Sequence, residues 1–277
     1  MNISLIESIL YGLICGFAEF LPVSSQAHRN ILNSLFGVDQ EEPLMVLFLH
    51  IGALLALIVS SRSLLQRLQR ELEIKKVARR RSRRQPDELA VLDMSLVKTA
   101  CVVMLIGLVF YFKAAAWNGS LPMVAIFLVA NGIILHIPLY LPRGNKDART
   151  MSRLDAVLIG VGSALSVIPG ISRVGVSTSL GIARGAAPQN AYKWSLLLSI
   201  PMLLALIALD VFGVVSAGLG QLGFSFILQC IMCGCAAYIG ASLGISLMKT
   251  LLHRNGIENF SYYCWGAALF TFILYMI

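Results

Sequence analysis

Apolar runs of about 20 residues, the helix length needed to cross the hydrocarbon of a bilayer, recur along this chain from end to end. Hydrophobic windows mark them near 44–62, 92–112, 121–141, 190–212, 222–248 and 258–277. In lipid only a helix or a closed barrel satisfies its own backbone, and continuous apolar runs of this length read as helices. Charge is scarce enough to agree, at 13% of 277 residues against roughly 25% in a soluble domain. The expected fold is an all-α polytopic membrane protein, a single integral domain over 1–277 with about six transmembrane helices. "MNISLIESILYG" lacks a basic n-region and a small-residue cleavage site, so no cleavable signal peptide is expected.

Basic residues orient the spans. Ten of the 22 Lys and Arg fall in "RSLLQRLQRELEIKKVARRRSRR" (62–84). Standing alone, such a run could bind nucleic acid. Between two spans it reads as a cytoplasmic loop in contact with anionic lipid headgroups, and no nucleic-acid partner is expected. The loops holding Arg143, Lys146, Arg149 and Arg153, and Lys249, His253 and Arg254, join it on that side. The acidic "DQEE" at 39–42, the uncharged 213–223 loop and the C-terminus then lie outside.

Two further apolar segments, about 3–36 and 154–184, are broken by Pro, Gly and polar residues. The topology closes only if each enters and leaves on one side, which makes them re-entrant hairpins, the first open to the outside and the second to the cytoplasm. An internal repeat agrees: "LFLHIGALLALI" (47–58) aligns with "LLLSIPMLLALI" (196–207), 149 residues on, and "LPVSS" (21–25) with "IPGIS" (168–172), 147 residues on. The expectation is two inverted-topology repeats, about 1–141 and 154–277, with a site near the midplane on broken helices.

The two hairpin turns, "EFLPVSSQAH" (19–28) and "PGISRVGVST" (169–178), concentrate the polar chemistry. Arg173, with Ser172, Ser177 and Thr178, suits a phosphate at a helix N-terminus. Gly170 and Gly175 permit close backbone approach. Glu19 suits Mg²⁺ or Ca²⁺, which take oxygen ligands, and Ser25 stands one helical turn before His28. These are parts of a phosphoryl-transfer site. The structural alternative for Glu19 and Arg173 is a buried ion pair. His50, His136 and His253 read as histidines bonded to carbonyls, and Cys230, Cys233 and Cys235 as small residues at helix contacts, since nothing completes a ligand set.

"EFLPVSSQAH" and "IPGISRVG" resemble the signature motifs of the undecaprenyl pyrophosphate phosphatase family, also called bacitracin-resistance proteins. "LFLHIGALLALI" and "ARGAAPQNAYKWSLLLSIPM" are similar to the same family. The resemblance implies a bacterial inner-membrane enzyme that removes the terminal phosphate of undecaprenyl pyrophosphate at the outer, periplasmic face, recycling the lipid carrier for peptidoglycan synthesis. It implies Glu19 as the second acid of a Glu/Gln-x-x-x-Glu motif and metal contact, Ser25 as nucleophile, His28 as its assistant and Arg173 as the phosphate-binding arginine. Ser24, Gly170 and Ser172 match neighbouring motif positions, and Gly175 and Ser177 complete the expected substrate-binding set. The implied partners are a polyprenyl diphosphate and membrane lipids, with a homodimer left open.

The chain departs from that pattern at Cys15, Ala27, Ser163 and Val174. Cys15 takes the place of the first acid, four residues before Glu19, so Cys15→Glu is expected to raise activity. Val174 removes a hydroxyl from the expected phosphate cradle. The rival expectation is a non-catalytic polyprenyl-phosphate binder or flippase on the same fold.

Overall fold

A computed structural model describes residues 3–38, 41–80, 94–142, 144–146, 150–217, 223–253 and 257–277. The described chain is helical: α1 Leu5–Glu19, α2 Ser25–Leu35, α3 Pro43–Ser60, α4 Arg62–Arg80, α5 Met94–Gly107, α6 Tyr111–Ala114, α7 Leu121–His136, α8 Arg153–Ala164, α9 Arg173–Ala183, α10 Pro188–Ala217, α11 Phe224–His253 and α12 Asn259–Met276. Four of the six expected spans are helices long and apolar enough to cross a bilayer: Pro43–Ser60, Leu121–Tyr140, Pro188–Ser216 and Phe224–Leu252. The expected 92–112 span is a shorter apolar helix, Ser95–Phe110. In α12, Asn259, Ser261, Tyr262 and Tyr263 dilute the first turns.

The basic segment corrects the expectation of a loop. Residues 62–80 continue from α3 as helix α4, because Leu64, Leu65 and Leu68 recur at helical spacing. They pack against the cluster of Ala100, Met104 and Trp194, while Arg62, Arg67 and Arg70 are exposed. Arg81, Arg83, Arg84, Arg143, Arg149 and Arg254, and the acidic-loop residues Asp39 and Gln40, lie outside the described residues.

Helix starts follow local chemistry. Ser4 and Glu7 form a capping box on α1, and Ser152 and Asp155 form another on α8. Asp155 is fully buried and also accepts from Arg184 Nε at 2.6 Å and Lys146 Nζ at 3.2 Å. Burial opposes its ionisation, but the Ser152 backbone N–H and the two basic partners overcome that cost and hold its pKa at about 2.

Packing is closest between α1 and α11. A Cβ on Gly16 would stand 2.3 Å from the Ala237 carbonyl oxygen, and one on Gly240 2.2 Å from that of Leu13, so the two backbones touch. Cys15, Cys230 and Cys233 are buried in this seam with Tyr11, Met45 and Leu49, whereas Cys235 is exposed. α3 packs on α10 and α11, α5 on α8, α7 on α12, and α9 on α8 and α10. The outer surface is apolar, with Ile106, Val109, Phe212 and Phe270 exposed, as a lipid-facing surface requires.

Candidate active site

Both polar segments break at proline and restart on serine. Pro22 lacks an N–H to continue α1, and the chain resumes at Ser24, whose Oγ accepts from Ala27 N at 3.3 Å. Pro169 and Gly170 end the preceding turn, and Ser172 Oγ accepts from Gly175 N at 3.1 Å to start α9. Each cap serine also reaches the other turn. Gly170 N donates to Ser24 Oγ at 3.2 Å, and Ser172 Oγ donates to the Leu21 carbonyl at 3.0 Å. Gly170 has φ +106, and a Cβ there would meet Phe127 at 2.6 Å, so only glycine serves. Ser24 has φ +64, a strained value for a residue with a side chain, and three contacts hold it there.

Asn131 of α7 stitches the turns together. Its Nδ2 donates to the Pro22 carbonyl at 3.0 Å and its Oδ1 accepts from Ser172 N at 2.9 Å. Sequence reading passed over it, although a lone amide midway along an apolar span signals a buried partner. Across the junction, Arg173 Nη2 donates to Glu19 Oε1, and both side chains are more than nine-tenths buried.

Glu19, Ser24, Ser25, Ser172 and Arg173 line one cavity of about 710 Å³. Gln26, Arg29, Asn30 and Asn33 line it from α2, His50 from α3 and Asp210 from α10. The α2 residues recur at three and four positions, the signature of one helix face, and that periodicity could have identified them from sequence. His50 Nδ1 is 2.6 Å from Asp210 Oδ2, while His136 Nδ1 bonds Ser261 Oγ at 3.1 Å. These two histidines bond side chains rather than the expected carbonyls. The His253 side chain lies outside the described residues.

Not every expected site residue faces the cavity. Ser25 Oγ donates to the Cys15 carbonyl at 3.1 Å, and His28 projects from the opposite face of α2. Its Nδ1 lies 2.8 Å from the Ser24 carbonyl, which only accepts, so Nδ1 carries the proton. Its Nε2 lies 2.7 Å from Tyr263 OH, and the two rings stack at 5.8 Å. The expected Ser25–His28 contact is therefore not made. Gly175 packs on Pro22, and Ser177 Oγ donates to the Arg173 carbonyl at 2.6 Å and meets Ser195 Oγ at 2.7 Å, inside the bundle. Val174 and Ala27 lie in apolar clusters, so the hydroxyl absent at 174 is not absent from the cavity. Ser163 is buried beneath Ser166, which lines the cavity.

Comparison with known proteins gives the family. The chain is 29% identical to "Undecaprenyl-diphosphatase 1" of Shouchella clausii, over 98% of this chain and 96% of that protein. It is 30% identical to "Undecaprenyl-diphosphatase" of Carboxydothermus hydrogenoformans, over 94% and 93%, and 28% identical to that of Methanobrevibacter smithii, over 97% of each. Residues 8–270 match the family model described as "Bacitracin resistance protein BacA", and the chain belongs to that family.

Proposed function

We propose that this chain is a polyprenyl diphosphate phosphatase that removes the terminal phosphate of an undecaprenyl-type lipid at the outer membrane face. The observation that carries the reading is the meeting of Arg173 and Glu19 across two serine-capped turns in one cavity. Arg173 is the first residue of α9, so its guanidinium and the helix dipole favour an anion at the same point. Its Nε has no hydrogen-bond partner among the described residues, leaving donors for phosphate oxygens. Ser24 and Ser25 bring the N-terminus of α2 to the same place.

The architecture belongs to the reading. α1–α2 and α8–α9 serve as opposed re-entrant hairpins of two inverted repeats. The packing pairs support this: α1 on α11 answers α8 on α5, and α3 on α11 answers α10 on α5. The cavity is lined by Glu41, Pro43, Asn118 and Gly213, at the ends that the basic-loop rule assigns to the outside. Lys249 bonds the Ser60 carbonyl, at the other end of α3 from Pro43.

Water attacks the terminal phosphorus, the bond to the bridging oxygen breaks, and polyprenyl monophosphate and inorganic phosphate leave. Glu19 takes the water proton once Arg173 has turned to the phosphate. Ser25 has its proton committed to a carbonyl and no imidazole beside it, which favours water over a Ser25 phosphoenzyme. His28 acts as a positioning residue, fixing the strained Ser24 turn through its carbonyl.

Family resemblance implies Mg²⁺ or Ca²⁺. Among the described residues no three His, Cys, Asp or Glu cluster to hold a metal, and Glu19 is the one carboxylate on the two turns. Such a donor set fits a cation shared with substrate phosphates rather than a protein cage. Glu19 and the Ser25 hydroxyl would hold it, and the chemistry it would supply there is charge neutralisation on the phosphoryl oxygens.

The test is phosphate release from a C55 diphosphate by purified protein, with and without Mg²⁺ or Ca²⁺. Release that Arg173→Lys impairs supports the reading. Binding without release from the parent would leave a lipid-carrier binder or flippase instead.

A further inference from the structure

The proposed chemistry uses Arg173 and leaves the cavity's second arginine, Arg29, without a role. We infer that Arg29 is a second phosphate-binding residue, taking one phosphate group of a diphosphate while the Arg173 end takes the other. The inference rests on the diphosphate reading above.

Arg29 follows Ser25 by four positions on the same face of α2, about 6 Å along the helix axis. Two phosphate groups joined by one bridging oxygen suit that short step. The residue is only 8% exposed, and a guanidinium keeps its charge when buried. Burying such a charge is costly unless it is paired and hydrogen-bonded. Arg29 meets the first condition loosely: its Nε is 3.6 Å from Glu41 Oε1, beyond hydrogen-bond distance. It fails the second at two atoms, since Nε and Nη1 have no hydrogen-bond partner among the described residues.

Glu41 does not need Arg29. Its Oε1 already accepts from Tyr11 OH at 3.0 Å and from Asn33 Nδ2 at 2.9 Å. The carboxylate is therefore anchored by neutral donors and balances the arginine without binding its fork. Arg29 is left free to turn toward an arriving anion. The charge balance of the cavity requires this. Glu19, Glu41 and Asp210 face the two arginines, so a diphosphate enters against three carboxylates. A monophosphate can be met by Arg173 alone. A diphosphate needs both forks, so Arg29 sets preference for diphosphate over monophosphate.

The experiment measures binding of methylene diphosphonate, which resists hydrolysis, and of inorganic phosphate to the purified full-length protein. C55 diphosphate turnover is followed in parallel. Arg29→Gln is expected to weaken diphosphonate binding at least about tenfold and to leave inorganic phosphate within about twofold, as loss of one charged contact should. Arg29→Lys, which keeps charge without the fork, should fall between. Glu41→Gln, which removes one of the carboxylates facing the incoming anion, should tighten diphosphonate binding, a change that a damaged fold cannot produce. Equal loss of both probes, or no change in either, in Arg29→Gln overturns the assignment. A parent that binds diphosphonate through Arg29 yet releases no phosphate from the lipid would end the phosphatase reading alone. A parent that hydrolyses, with Arg29→Gln unchanged in KM, would end the Arg29 assignment alone.

Discussion

Arginine and lysine carry the same charge at position 173, but only arginine has a planar fork that can pair with Glu19 at rest and then grip two phosphate oxygens. Arg173→Lys should lower turnover at least about tenfold, roughly 1.4 kcal/mol of transition-state stabilisation, read as phosphate release. Parental rates would make the pair structural. Tyr263 lends its hydroxyl to His28, so Tyr263→Phe should cost about 1 kcal/mol of stability and slow turnover without moving metal dependence. Cys15 reverses an expectation. Sequence spacing puts it beside Glu19 and predicts that Cys15→Glu raises activity, but its side chain is sealed among Tyr11, Met45, Leu49 and Cys233. A carboxylate there should instead lower the melting temperature of the detergent-solubilised protein, at a cost of several kcal/mol. Higher turnover with unchanged melting would mean that position 15 reaches the cavity.

Helices meet at distances that single atoms decide. On α1, Gly16 lets the backbone touch α11, and a methyl group would overlap the Ala237 carbonyl oxygen. Gly16→Ala is expected to destabilise by about 1–3 kcal/mol, visible as earlier thermal unfolding, because the methyl meets backbone atoms of α11 that cannot rotate aside. At the start of α8, Asp155 binds the α9–α10 turn through Arg184 and the 144–146 segment through Lys146. Its carboxyl pKa is lowered to about 2 from an ordinary 3.8. The stability it adds is therefore complete above about pH 4 and is lost as pH falls through about 2. Thermal melts between pH 5 and 2 should show this loss in the parent. Asp155→Asn should start lower and stay flatter over that range.

For the whole molecule, the basic-loop rule gives a prediction with two arms. A reporter placed after Arg84 should read cytoplasmic and one at the C-terminus external. Finding both on one side would remove the proposed inverted arrangement and with it the proposed outward orientation of the cavity. Sequence by itself determined the all-helical membrane class, because lipid leaves an apolar run of 18 to 29 residues no other way to satisfy its backbone. It also located the two broken segments, since Pro22, Pro169 and Gly170 act on their own chain within a few residues. Those signals are local. Only the tertiary structure decided that Ser24 would meet Gly170, 146 positions away, and that Arg173 would meet Glu19, 154 positions away. It also turned His28 toward Tyr263 and put Arg29 in the cavity, because rotation of α2 by its neighbours decides which of two adjacent polar side chains faces inward. A helix repeats its face every 3.6 residues in any environment, but what lies opposite that face is set by the packing of other elements, which no local stretch of sequence specifies.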